Sequence, residues 1–172
     1  MAYQEYFVGE VFFKQETGNS NSIQVENIAP FIKMAALMWQ QSILGSYFMN
    51  DLLVKYNAGT LSVDEQNLVL QMKPGIAWRA EADVIQETSV KMSNKGLQKQ
   101  NSDFSTEVDD VTIANRIIKS VQRAEFYESF LIKYLTKNKD LFPVFLSDEN
   151  DDSIIKPKKD ADNNFSSFFK II

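Results

Sequence analysis

Cysteine and histidine are both absent from this chain. Without cysteine there is no disulfide and no thiolate chemistry. Without histidine the commonest general base and the commonest metal ligand are gone. Arginine is scarce as well, with Arg79, Arg116 and Arg123 the only three. A net charge of −5 leaves no basic face of the kind nucleic-acid binders carry. An acidic surface lets DNA slide past without holding it, because it neutralises no phosphates. No run approaches the ~20 apolar residues of a membrane-spanning helix. The opening MAYQEYFVGEVFF has neither the basic region nor the small-residue cleavage site of a secretory leader. These absences predict folding in a reducing cytosol, and they leave few routes to catalysis.

What is present suits one domain with a real core. The chain has 172 residues, 44% hydrophobic and 24% charged, with thirteen Phe, six Tyr and two Trp. Residues 1–26 are mixed: Tyr6–Phe13 suits a short strand or a first helical turn, packed as a lid on the remainder. A helix is expected from Asn27, a suitable N-cap, with Pro30 in its first turn. Ile28, Ile32, Ala35 and Trp39 follow helical spacing, and Met34, Met38 and Trp39 read as core. Gly45 marks a break before a second helical piece over 46–57. Ser62-Val-Asp-Glu65 is a capping box opening a helix toward residue 90, with Pro74-Gly75 expected to kink or split it. After a polar stretch, Thr106-Glu-Val-Asp109 resembles another cap. The helix after it carries Val111, Ala114, Ile118, Val121, Leu131 and Leu135 as a stripe, reinforced by Ile117, Ala124, Phe130 and Tyr134, and Pro143 bars its continuation.

The predicted fold is mainly α: a bundle of about four to five helices with a protruding central loop or hairpin and an extended C-terminal arm. The helical domain spans 27–145, the protruding loop 91–106, and the tether and arm 146–172. The polar stretch Ser93–Glu107, SNKGLQKQNSDFSTE, is far longer than the ~2–8 residues that join bundle helices. In the tail, Asp148–Asp152 is acidic and Lys156–Lys159 basic, and both read as a solvated tether. The tail ends in Phe165-Ser-Ser-Phe-Phe-Lys-Ile-Ile172. Phe165, Phe168 and Phe169 are spaced to share one face of a helical turn, with Ile171 and Ile172 beside them. Five large apolar groups need burial, either on their own bundle or on another subunit.

The motifs of catalysis are thin. The best candidates are carboxylates: Glu125 and Glu128 stand at i, i+3 on the long helix, and Glu81 and Glu87 lie on the earlier one. All-α magnesium-dependent nucleotide pyrophosphatases bind their cation through such pairs, because hard cations favour carboxylates. Solvated helix faces carry the same pairs, so no catalytic residue, metal ligand or cofactor is assigned. Lys95-Gly96 as a lone pair is no phosphate motif; Gly96 reads as a turn residue.

The order of segments carries a resemblance. Phe31-Ile-Lys-Met-Ala-Ala-Leu-Met-Trp-Gln-Gln-Ser-Ile-Leu-Gly45 is followed by Gly59-Thr-Leu61, a helix with Lys73-Pro74 and Trp78, Ser93-Asn-Lys-Gly96, a polar loop, a long helix and Leu141-Phe-Pro143. Over about residues 7–145 the chain resembles the head–tail connector (adaptor) proteins of tailed bacteriophages, most closely those of crAss-like phages. Each motif is weak alone; their order and spacing make the case. The resemblance implies a structural virion protein at the neck, assembled in the host bacterial cytoplasm, and not an enzyme. It implies a homo-oligomeric ring of roughly twelve-fold symmetry below the portal protein, extending the DNA channel and meeting adjacent neck or tail proteins. DNA would pass without specific binding, and no membrane is involved. In such connectors a central loop contacts neighbouring subunits or the channel, which here falls on Asn94, Lys95, Gly96, Leu97, Gln98, Lys99 and Phe104. Lys91, Lys95 and Lys99 are then candidate channel-lining residues. The arm Phe165, Phe168, Phe169, Ile171 and Ile172 is the candidate docking segment. Other readings stay open: a stopper or tail terminator of the same neck, a helical module binding a host protein through its Phe-rich tail, or the pyrophosphatase.

Overall fold

The computed structural model describes residues 6–18, 25–93, 96–99, 110–150 and 152–155. The chain is mainly α-helical. The elements are α1 (Glu10–Thr17), α2 (Val25–Ala35), a π-helical turn (Ala36–Gln40), α3 (Gln41–Leu44), α4 (Ser46–Ala58) and α5 (Val63–Ser89). A two-stranded antiparallel ribbon, β1 (Val90–Ser93) and β2 (Gly96–Lys99), follows. Then come α6 (Asp110–Asn138), a 3₁₀ turn (Lys139–Leu141) and α7 (Pro143–Leu146).

Helix α5 is the axis. Its capping box forms as the sequence predicts: Ser62 N–H donates to Glu65 Oε2 at 2.8 Å, and Glu65 N–H donates to Ser62 Oγ at 3.2 Å. Lys55 Nζ also donates to Glu65, at 2.7 Å, tying the end of α4 to the start of α5. Leu68, Val69, Met72, Ile76, Ala77, Trp78 and Ala80 are buried, and α5 packs on α6, α2 and α1. Pro74-Gly75 does not split it; Val63–Ser89 is one helix. Gly75 serves close approach instead. A Cβ there would stand 3.0 Å from Gln40 Nε2 and 3.7 Å from Tyr127 Cβ.

The start of α2 differs from the expectation. The helix is already running at Val25, so Asn27 is not its cap and Pro30 lies in the second turn. Pro30 therefore removes one ladder bond, since it has no N–H for the Glu26 carbonyl. Further along, Ile28, Ile32 and Ala35 are buried at the predicted spacing. The π turn then inserts one residue and shifts the phase. Burial resumes at Ala36, Gln40, Ile43 and Leu44. Met34, Met38 and Trp39, expected in the core, are left 48%, 57% and 38% exposed.

In α6 the buried positions are Ser120, Ala124, Leu131 and Leu135. The first part of the expected stripe is on the surface, with Val111 70% and Ile118 51% exposed, and so is Phe130. The main partner of α6 is α5 alone, so one narrow stripe is covered.

The chain before α1 is committed to the bundle. Phe7 is buried at a positive φ of 64°, its ring edge-on to Tyr56 at 5.1 Å, and its carbonyl accepts the Tyr56 hydroxyl at 3.2 Å.

The sharpest local constraint is the α3–α4 junction. Gly45 adopts φ +85°, ψ 149°, a conformation essentially reserved for glycine. The Asn150 side chain fills the space beside it; a Cβ on Gly45 would lie 2.0 Å from Asn150 Oδ1. Asn150 Nδ2 donates to the Leu44 carbonyl at 2.8 Å and the Phe145 carbonyl at 3.0 Å, and its Oδ1 accepts Phe48 N–H at 3.2 Å. Asp152 accepts Ser46 N–H at 2.7 Å and the Ser46 hydroxyl at 2.5 Å, capping α4. Ser153 donates its hydroxyl to the Ile43 carbonyl, and Ile154 N–H donates to the Ser42 carbonyl at 2.9 Å. The stretch read as an acidic tether is therefore folded onto the bundle as far as Ile155, because its polar side chains satisfy a helix break.

Asn150→Ala is expected to lower unfolding free energy by about 2–4 kcal/mol, read by urea denaturation, since it strands buried backbone groups at about 1–3 kcal/mol each. Gly45→Ala is expected to be at least as severe. The Ser46 hydrogen bonds hold the Asp152 carboxyl below its ordinary value of 3.8. Its contribution is thus complete above that value and is lost as pH falls through the lower folded one. Asp152→Asn should flatten the acid limb of a stability–pH profile there.

Candidate functional site

Of the residues singled out from sequence, Asn94, Lys95, Phe104 and the arm Phe165, Phe168, Phe169, Ile171 and Ile172 lie outside the described residues. Lys91, Gly96, Leu97, Gln98 and Lys99 fall in the ribbon. Val90 pairs with Lys99, Lys91 with Gln98, Met92 with Leu97 and Ser93 with Gly96. The register sets neither Lys91 opposite Lys99 nor either at the turn.

Of the carboxylates considered for a cation, Glu81, Glu125 and Glu128 lie against arginine. Arg79 holds Glu128 bidentately, Nε to Oε1 at 2.9 Å and Nη2 to Oε2 at 3.2 Å, with Glu125 at 3.8 Å. Glu81 is fully buried; it accepts from Arg116 and, at 2.7 Å, from the Ser120 hydroxyl. Arg116 also donates to the Thr17 carbonyl at 2.9 Å, bringing the end of α1 onto the α5–α6 seam. Arg123 stacks over Trp78 at 4.3 Å, and Trp78 Nε1 donates to Glu16 at 2.9 Å. Burial pushes the Asp83 carboxyl up, Arg79 opposes the shift and Glu87 adds to it. Among the described residues no three acidic side chains gather to hold a metal ion.

What the surface does offer is apolar area. Met34, Met38 and Trp39 form one strip along α2 and the π turn, with the Arg79 guanidinium over the Trp39 ring at 4.4 Å. Phe126 and Phe130 form another on α6, ring centroids 4.8 Å apart, with Lys133 over Phe130 at 5.5 Å. Sequence reasoning missed both. For the α6 pair a signal existed, because Phe126 and Phe130 are out of phase with Ala124, Leu131 and Leu135. For the α2 strip none did, because Phe31–Trp39 is apolar apart from Lys33. Gln40, at the end of the π turn, is buried with neither side-chain polar atom bonded among the described residues.

Chemically the arrangement is one of contact surfaces over an ion-paired seam. Arg79→Ala leaves Glu128 largely buried without its partner and is expected to cost about 3–5 kcal/mol in denaturant unfolding. Replacing the pair by Arg79→Met with Glu128→Leu should restore most of that loss.

No curated protein and no solved structure matches the chain. Residues 40–154 match a family described only as of unknown function, DUF6712. The matched segment starts at Gln40 beside the α3–α4 junction and ends at Ile154, whose N–H is bonded to Ser42. It takes in the junction, both long helices and the ribbon between them, and the chain belongs to this DUF6712 family.

Proposed function

We propose that this chain is a structural subunit of a phage head–tail connector. In this reading it forms a ring below the portal that extends the DNA channel and joins capsid to tail. One observation carries the reading on the structural side. The two longest helices, α5 and α6, pack on each other, and α6 leaves Val111 and Ile118 exposed among the described residues. A ring supplies neighbours for such side chains through one interface repeated by symmetry. The ordered likeness of segments over residues 7–145 supports the same conclusion. In this proposal the stretch 91–106, including Asn94, Lys95, Gly96 and Phe104, contacts neighbouring subunits. Lys91, Lys95 and Lys99 line the channel, and the Phe165–Ile172 arm docks on a partner. The magnesium-dependent reading is not carried forward, because Arg79 already holds Glu128, one member of the first pair, and Arg116 and Ser120 hold Glu81, one member of the second.

Native mass spectrometry of the protein, alone and mixed with the portal protein encoded beside it, tests the proposal. A ring of roughly twelve copies, alone or only on the portal, is the expected result. A monomer unchanged by the portal overturns it. Deleting residues 94–103 should leave helicity and melting temperature intact while abolishing ring formation. Normal incorporation of that deletion would exclude the loop from the interface.

A further inference from the structure

We infer that the Met34–Met38–Trp39 strip is the resting seat of the chain's own C-terminal segment, Phe165–Ile172. The strip needs explaining because two methionines and a tryptophan stand together on solvent in a helix whose other face is core. Methionine and tryptophan suit an apolar partner: methionine adapts its shape, and tryptophan offers a wide flat face. The occupant follows from where the chain leaves the bundle. Ile154 is fixed to the Ser42 carbonyl, so the exit lies at the C-terminal end of the helix that carries the strip. Trp39 is three residues from Ser42 and Met34 eight. At about 1.5 Å per residue, the whole strip lies within about 12 Å of the exit along the helix axis.

Residues 156–164 are nine residues rich in charge with no large apolar side chain, a composition suited to a tether. Fully extended they span about 30 Å, and as a coil about 17 Å, which matches the distance to be covered. Immediately after the tether come Phe165, Phe168, Phe169, Ile171 and Ile172. A segment held this close by a linker of matched length binds its own strip ahead of any dilute competitor.

This inference goes beyond the ring reading and does not depend on it. It also sets a state from which the arm is transferred, because a segment seated in cis passes to the same seat on a neighbour by swapping.

The test uses the full chain labelled with ¹³C at methionine methyls. The double substitution Phe168→Asp, Phe169→Asp should shift the Met34 and Met38 methyl resonances and leave the buried Met49 and Met72 in place. The wild-type positions of Met34 and Met38 should not change on dilution. Unmoved Met34 and Met38 resonances overturn the inference. So does a seat that empties on dilution, which would mean an occupant from a second copy. A complementary variant changes the strip and leaves the tail intact. Met38→Lys should speed tryptic cleavage after Lys170 several-fold while the melting temperature holds; an unchanged cleavage rate argues against the seat.

Discussion

The shape of this protein depends on a single backbone turn that only one residue type can make. Gly45 takes a conformation closed to side chains, and Asn150 occupies the volume a side chain would have used. The asparagine answers on both sides of the break, accepting from Phe48 and donating to Leu44 and Phe145. The described residues C-terminal to α7, as far as Ile155, are positioned by this contact and by those of Asp152, Ser153 and Ile154. Without it α4 loses its redirection and Asp152 has no helix start to cap. The stretch through Ile155 would be the solvated tether its composition suggests. A buried amide is effective here because it satisfies a donor and two acceptors at once, in surroundings where leaving any of them unmet is expensive.

The second organising feature is the seam between α5 and α6. Two long helices in a small protein normally meet along a purely apolar stripe. Here the stripe on α6 is narrow, and arginine–carboxylate pairs extend it at Arg79–Glu128 and Arg116–Glu81. Such pairs add little net stability over apolar packing, but they fix register, because a one-turn slip strands a charge. Fixed register matters most where the hairpin must present its far end in one place, as the proposed ring contact requires.

Much of the fold could be read from local chemistry. The α5 start followed from Ser62 and Glu65, three residues apart, and the break at Gly45 from glycine's conformational freedom. What could not be read was non-local or phase-dependent. Asn150 sits among acidic residues that signal solvent, and its partner lies 105 positions earlier in the chain. Trp39 continues the period of Ile28, Ile32 and Ala35, but the π turn adds a residue and rotates what comes after, and an unbroken apolar run hides that rotation; Met34 precedes the turn, which does not explain its exposure. The carboxylates looked available because their arginine partners lie on the facing helix. The loop and arm residues were chosen by composition and resemblance, and only the ribbon register of Lys91 and Gly96–Lys99 adds geometry to them.

The fate of the arginines has a consequence for how this surface meets polyanions. All three guanidiniums already hold a carboxylate or an aromatic ring. Arg116 and Arg123 remain exposed, but each guanidinium is already engaged, so further polar contacts fall mainly to lysine ammoniums. Ammonium groups are strongly hydrated, make no planar two-point grip on phosphate, and exchange partners readily. A nucleic acid drawn along such a surface would find sites that are shallow, alike and quickly released. In the proposed ring, lysines facing the channel would therefore hold DNA only weakly, because the arginines are committed elsewhere.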